Sequence, residues 1–242
     1  MARKKRTSSS RKASAKPRKR TKRRTSAEAG PSHKWLIAVL LVVTGLALSP
    51  VLTNDFISLD DDNFILSNPV VQNHDVGQAL TKQLFTPHYK PLVYLGWIVE
   101  HTLFGNSSFV FHFNNWLLHL INTLLVFLCF RTIATFWEPV RPHALWVGFF
   151  TALLFGVHPL HVESVAWAIE RKDVLFTCFF LGGLFNYLRY LKRGQRRYLY
   201  FAGALYILSL LSKSMAISLF GVVFLMDWAS GRRDWKAMVL EK

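Results

Sequence analysis

The sequence predicts an all-α fold, a polytopic transmembrane helical bundle of about six spans, preceded by a disordered basic tail. Three observations carry this expectation. Long apolar runs lie at Trp35 to Thr53, Phe109 to Phe130, Leu145 to Val157, Val174 to Leu191 and Tyr198 to Trp228, several of them of bilayer-spanning length. The formal net charge of +16 sits mostly ahead of the first run. The remaining basic residues fall in clusters between the runs, as loop charges do in membrane proteins.

The elements follow in chain order. From Arg3 to Arg24 the chain is almost all Lys, Arg, Ser and Thr without an acidic residue, so it cannot bury enough apolar surface to fold alone. Residues 1–34 therefore read as a cytoplasmic tail, residues 35–230 as the transmembrane domain and 231–242 as a cytoplasmic end. Nucleic acid is the competing partner for such a tail. No zinc-finger spacing or RNA-binding aromatic motif accompanies it, so nucleic acid is not the expected partner and membrane lipid is. The run from Trp35 exceeds the apolar core of a usual signal peptide, which favours a retained anchor. With the tail inside, the first span delivers Asp60, Asp61 and Asp62 to the outer face.

A long outer loop ends near Ser108. Its stretch PLVYLGWIVEHTLFG, bounded by Pro91 and Gly105, reads as a helix lying in the interface. Spans from Phe109, from His143 and from Asp173 follow, the last ending in LRYLKRGQRR, the firmest cytoplasmic marker after the tail. The region Tyr198 to Trp228 is long for one helix and short for two. A single span would put Lys213 at the bilayer centre, costing about 2.5–3.5 kcal/mol. Two short helices turning at Ser212 and Lys213 avoid that cost. The integral, multi-pass protein then has both ends in the cytoplasm and its outer face in the periplasm or another extracytoplasmic space, the inner membrane being its place in a bacterium. Cys129 and Cys178 both lie in apolar runs and build neither a zinc site nor a disulfide framework.

This topology collects the unusual polar groups outside: the three Asp, then Lys82, His88 and Lys90, then HPLHVESVAWAIERKD, then Lys213. Arg171, Lys172 and Lys213 run against the positive-inside bias, and a phosphate or pyrophosphate on a lipid carrier would explain them. Snorkelling, or pairing with Glu163, Glu170 and Asp173, is the plainer alternative. Contiguous Asp residues repel one another. One can serve as a general base toward an acceptor hydroxyl, or two, here Asp60 and Asp62, can hold a divalent cation such as Mg or Mn; a solvated acidic turn is the bland reading. His158 and His161 would share a helix face with Glu163 following, but Pro159 lies between them, and substrate hydrogen bonding or loop ordering is favoured over metal ligation. Asn115, His119 and Asn122 fall on one face of the second span, set to bond neighbouring helices or to line a polar path.

The ordered strings DDDNFILSNP, YKPLVYLGWIVEHTLFG, FHFNNWLLHLINTLLVF, LLFGVHPLHVESVAWAIERKDVL and LLSKSMAISL together resemble the amino-terminal membrane half of the transmembrane-and-tetratricopeptide-repeat mannosyltransferases and their bacterial relatives, membrane-embedded glycosyltransferases of the GT-C type. HPLHVESVAWAIERKD is the most specific of them. The resemblance covers Trp35 to Trp228 and not the tail. It implies many spanning helices, interfacial helices in the first outer loop, and transfer of a sugar from a polyprenyl-phosphate donor to a protein or glycan acceptor, often a Ser or Thr hydroxyl, on the extracytoplasmic side.

Carried over by position, the acidic motif falls on Asp60 and Asp61 as catalytic residues. The substrate-binding segment falls on His158, His161 and Glu163, and the lipid-phosphate-binding cations on Arg171, Lys172 and Lys213. Ser214 stands where the family usually has an acid. The family also carries further spans and helical repeats that this chain lacks, which implies a truncated or split member, or a short form without catalysis. The expected activity is hexosyl transfer; a noncatalytic lipid-carrier-binding or assembly subunit and a transporter are the rivals.

Overall fold

The computed structural model describes residues 33–58, 60–81 and 89–232. The basic tail through Ser32, Lys82, His88 and the residues after Arg232 lie outside the described residues. Every regular element among the described residues is helical.

The first span forms as helix α1 (His33–Ala47) and ends a turn earlier than the apolar run. Pro50 cannot donate a helical hydrogen bond, and the chain continues as a 3₁₀ turn, Ser49–Thr53. A π-helical turn at Asp62–Leu66 leads to the short helices α2 (Pro69–Gln72) and α3 (Val76–Thr81). Asn68 caps α2 by accepting from the Val70 N–H at 2.9 Å. Helix α4 (Pro91–Phe104) has the expected bounds, with Pro91 in its first turn and Gly105 beyond its end at φ +61°.

Helix α5 (Ser108–Ala134) is the central rod and packs on α6 (Ala144–Val157) and on α8 (Arg171–Arg193). After α6 the chain bends by 54° at Pro159 and passes through α7 (Val162–Ala166) and a 3₁₀ turn, Ala168–Glu170. Helix α9 (Arg196–Leu210) returns along α8, and α10 (Ser218–Ala229) follows a break that contains Ser212 and Lys213. The expected turn is therefore present.

Six apolar helices, α1, α5, α6, α8, α9 and α10, stand where six spans were expected. Among the described residues, only α5 and the run Ala168–Arg193 are long and apolar enough to cross a membrane alone, with a third crossing if the bent pair Arg141–Val157 and Pro159–Ala166 acts as one. The others have 12–15 residues. At 1.5 Å per residue they fall short of about 30 Å of hydrocarbon.

Two clusters fix the site. Leu36, Leu40, Val126, Phe127, Phe149 and Ala152 join α1, α5 and α6. Ile65, Val71, Val93, Trp97, Phe111 and Ile169 form a separate core that seats the outer loop on the start of α5 and the 3₁₀ turn before α8. The loop is thus packed. The opposite side of α4 leaves Val99, Leu103 and Phe104 exposed, an apolar face suited to the interface. The polar face of α5 joins helices: Asn115 donates to the Trp167 carbonyl at 3.0 Å, Asn122 to the Val174 carbonyl at 2.9 Å, and His119 Nε2 lies 3.0 Å from the Gly156 carbonyl.

Candidate functional site

The three adjacent carboxylates divide between different environments. Asp61 is fully buried. One of its oxygens accepts from the Ile57 N–H and the other from the Ile169 N–H, each at 3.0 Å. Burial raises its pKa above the ordinary value, against the pull of those two N–H groups. Asp61 thereby pins the outer loop to the turn before α8. His112, also fully buried, lies beside it, its ring 6.3 Å from that of Phe56. Asp60 is half-buried and lines a cavity of about 160 Å³ with Phe64, Lys90, Tyr94, Trp97 and Lys172. Asp62 opens the π-helical turn, half-buried.

The basic residues separate in the same way. Arg171 does not reach that cavity. It is 4% exposed and binds Glu100 of α4 through both terminal nitrogens, the Phe111 carbonyl at 2.9 Å and the Asn115 side chain. Arg171, expected from the resemblance to bind a lipid phosphate, has its guanidinium shared among α4 and α5 inside the protein. Lys172, the next residue, is turned about 100° around the helix and faces the cavity, paired with Glu170. Lys213, in the break before α10, pairs with Asp173 and sits 5.7 Å over the Phe176 ring. These pairs are largely shielded, with side chains 15–27% exposed.

Lys90 completes the group. The Leu92 N–H to Leu211 carbonyl contact, 3.5 Å, brings the start of α4 to the break that carries Lys213. Lys90 forms no salt bridge among the described residues, and its pKa is lowered by burial first and then by repulsion from Lys172 and Lys213, with Glu170 and Asp173 opposing. Trp97 is buried and its indole N–H has no partner among the described residues. One small cavity therefore offers a carboxylate and two ammonium groups, with Trp97 in its wall and a third lysine adjoining.

Asp173 also lines a second cavity of about 170 Å³, with His119, Asn122, His161 and Ser164. His161 packs on Phe155 at 4.4 Å between ring centres and lies 6.1 Å from the His158 ring. His158 Nδ1 accepts from the Leu160 N–H at 3.2 Å and caps the turn after Pro159. Both histidines border an apolar groove of about 470 Å³ between α5, α6 and α8. Glu163 is exposed. Among the described residues no group of three or more His, Cys, Asp or Glu is placed to hold a metal ion.

Sequence reasoning placed Lys90 on the outer face without a partner, and missed Glu100 and His112 as parts of the site. Glu100 carried the one available signal, a lone carboxylate in an apolar helix, which needs a buried cation.

The chain is similar to the protein O-mannosyl-transferase TMTC1 of Mus musculus, with 32% identity over 169 residues, 65% of this chain and 17% of that protein. It is similar to Tmtc1 of Drosophila melanogaster, with 30% identity over 208 residues, 81% of this chain and 23% of the relative. Protein O-mannosyl-transferase F38B6.6 of Caenorhabditis elegans is 24% identical over 206 residues, 80% of this chain and 28% of the relative. The chain thus spans 17–28% of the length of these curated relatives. No family model matches the chain, and no solved structure matches it. The resemblance carried by the acidic, HPLHVE and lysine motifs is therefore a likeness, over most of this chain, to proteins named protein O-mannosyl-transferases.

Proposed function

We propose that the chain is a membrane glycosyltransferase, or its amino-terminal part, which moves a sugar from a polyprenyl-phosphate carrier to an acceptor hydroxyl on the extracytoplasmic face. One observation carries the reading: Asp60, Lys90 and Lys172 line one cavity, with Lys213 adjoining. Three cations gathered around a small cavity suit a phosphate, and a carboxylate beside them suits a hydroxyl about to lose its proton. The names of the relatives point to mannose and a protein acceptor.

In this reaction the acceptor oxygen attacks the anomeric carbon while Asp60 takes its proton. The bond from that carbon to the phosphate oxygen breaks, and the electron pair leaves with the phosphate. Lys90, Lys172 and Lys213 meet the charge that grows on that oxygen. Asp61 acts through position, since it holds the loop that presents Asp60. The groove beside His158 and His161 offers a bed for the carrier's hydrocarbon chain, with the histidines and Glu163 near the sugar. The domain plan, a cytoplasmic tail over residues 1–34, membrane helices over 35–230 and a cytoplasmic end over 231–242, belongs to the same proposal.

Transfer of radiolabelled mannose from a polyprenyl phosphate by the purified full chain tests it. Asp60→Asn is expected to lower the rate on the order of 10²–10⁴-fold, the usual worth of a general base, with the protein still membrane-inserted and folded. A rate equal to that of the unmodified chain removes Asp60 from the chemistry.

A further inference from the structure

The basic cluster at the other end of α8 carries an arrangement that the transfer reaction does not use. Arg189 and Arg193 lie one turn apart on α8. Gly194, at φ +66°, reverses the chain, and Arg197 enters from the first turn of α9. All three guanidinium groups converge on one phenol oxygen: Arg189 Nη2 donates to the Tyr198 hydroxyl at 3.1 Å, Arg193 Nη1 at 2.7 Å and Arg197 Nη2 at 3.3 Å. The same three groups surround the Tyr198 ring, at 4.4, 5.7 and 5.0 Å from its centre.

Tyr198 is buried, whereas Arg193 and Arg197 are exposed and Arg189 is half-exposed. None of the three arginines forms an ion pair among the described residues; nearby Asp227 is engaged by Tyr187 and Arg232. A neutral phenol orders the three cations without offsetting their mutual repulsion. The cluster thus gathers three guanidinium groups without a carboxylate in an ion pair among the described residues.

We infer that Arg189, Arg193 and Arg197 form a phosphate-binding site at the α8–α9 turn, and that the ligand is a phosphate ester at the membrane surface, the headgroup of an anionic phospholipid. Three properties of the arrangement select that chemistry. Guanidinium groups match phosphate oxygens in pairs, and three of them exceed what a carboxylate needs. The site lies one length of α8, about 34 Å, from the Arg171 end, so it sits at headgroup depth when the catalytic cavity occupies the opposite surface. The aromatic floor holds the arginine planes in place, which lowers the entropy lost on binding.

The full chain is purified in nanodiscs of phosphatidylcholine with phosphatidylglycerol, and lipid retained after transfer to neutral detergent is counted by native mass spectrometry. The unmodified chain is expected to retain phosphatidylglycerol over phosphatidylcholine. Arg193→Gln should lower that retention on the order of tenfold, as the loss of charge-assisted hydrogen bonds predicts, while Arg196→Gln, an exposed neighbour outside the trio, leaves it unchanged. The triple change at 189, 193 and 197 should abolish it.

Stabilisation of the lipid-free protein by inorganic phosphate, lost in Arg193→Gln, would assign the same site to a soluble phosphate. Equal losses in Arg193→Gln and Arg196→Gln, or no retention of either anion by the unmodified chain, would overturn the site. Because both single changes lie on the surface, the comparison holds even where the triple variant fails to fold.

Discussion

At the scale of single residues, neighbours in sequence serve different ends. Arg171 and Lys172 are adjacent, yet one ties α8 to α4 and α5 while the other faces the cavity. Asp60 and Asp61 repeat the pattern, the first lining the cavity and the second spent on two backbone N–H groups. The fold also shifts the charge state of Lys90. Its pKa in the folded protein lies below the ordinary 10.5. As pH rises toward 10.5 the folded state gives up this proton before the unfolded chain does, so this group's contribution to stability rises with pH across that window. An anion favours the charged form, so affinity moves the other way. Binding of polyprenyl phosphate, followed by isothermal titration calorimetry, should weaken as pH rises through the Lys90 titration, and Lys90→Gln should flatten that dependence. A slope that persists in Lys90→Gln would assign it to another group.

At the scale of elements, close helix contact rests on glycine. A Cβ on Gly148 of α6 would stand 2.8 Å from the Arg131 Cβ and 2.9 Å from the Phe127 carbonyl oxygen of α5. Backbone cannot yield as a side chain tip can, so the helices must part. Gly148→Ala is expected to cost about 1–3 kcal/mol, the range for overpacking, read as a lower unfolding midpoint in detergent micelles; an unchanged midpoint would mean that α5 and α6 separate freely.

The helices themselves were legible in the sequence, because apolar runs and the Pro and Gly residues that end them act locally. The break at Ser212 and Lys213 was legible for an energetic reason, the cost of a lysine in mid-span. The extent of α1 was not, since Thr53 is as compatible with a helix as with the 3₁₀ turn that Pro50 imposes. Nor did the sequence show Lys90 beside Lys172 and Lys213. That meeting depends on how α4 docks against the α9–α10 break, and no periodicity within the outer loop encodes it.

On the scale of the whole molecule, the polar groups separate into two sets at opposite ends of α8. Asp60, Lys90, Lys172 and Lys213 gather at its start. Lys192 near its end lies close to Arg131 and Arg141, and the arginines around Tyr198 lie there too. Two basic clusters separated by about the thickness of a bilayer imply two surfaces. Cysteines introduced at the exposed positions Asn54 and Gln195 should therefore react with an impermeant reagent from opposite sides of sealed vesicles. Labelling of both from one side would overturn the orientation and the placement of the transfer site on the extracytoplasmic face.

The ion pair of Glu100 with Arg171 also has a consequence for synthesis. Its partners are 71 positions apart. At about 5–20 residues per second, the carboxylate leaves the ribosome roughly 4–14 s before the guanidinium that will neutralise it. Until then α4 carries an uncompensated charge and is better kept at the water boundary than packed against α5. Docking of the outer loop is thus timed by the arrival of the fourth apolar run, and the cavity lined by Asp60 and Lys172 closes late in biogenesis.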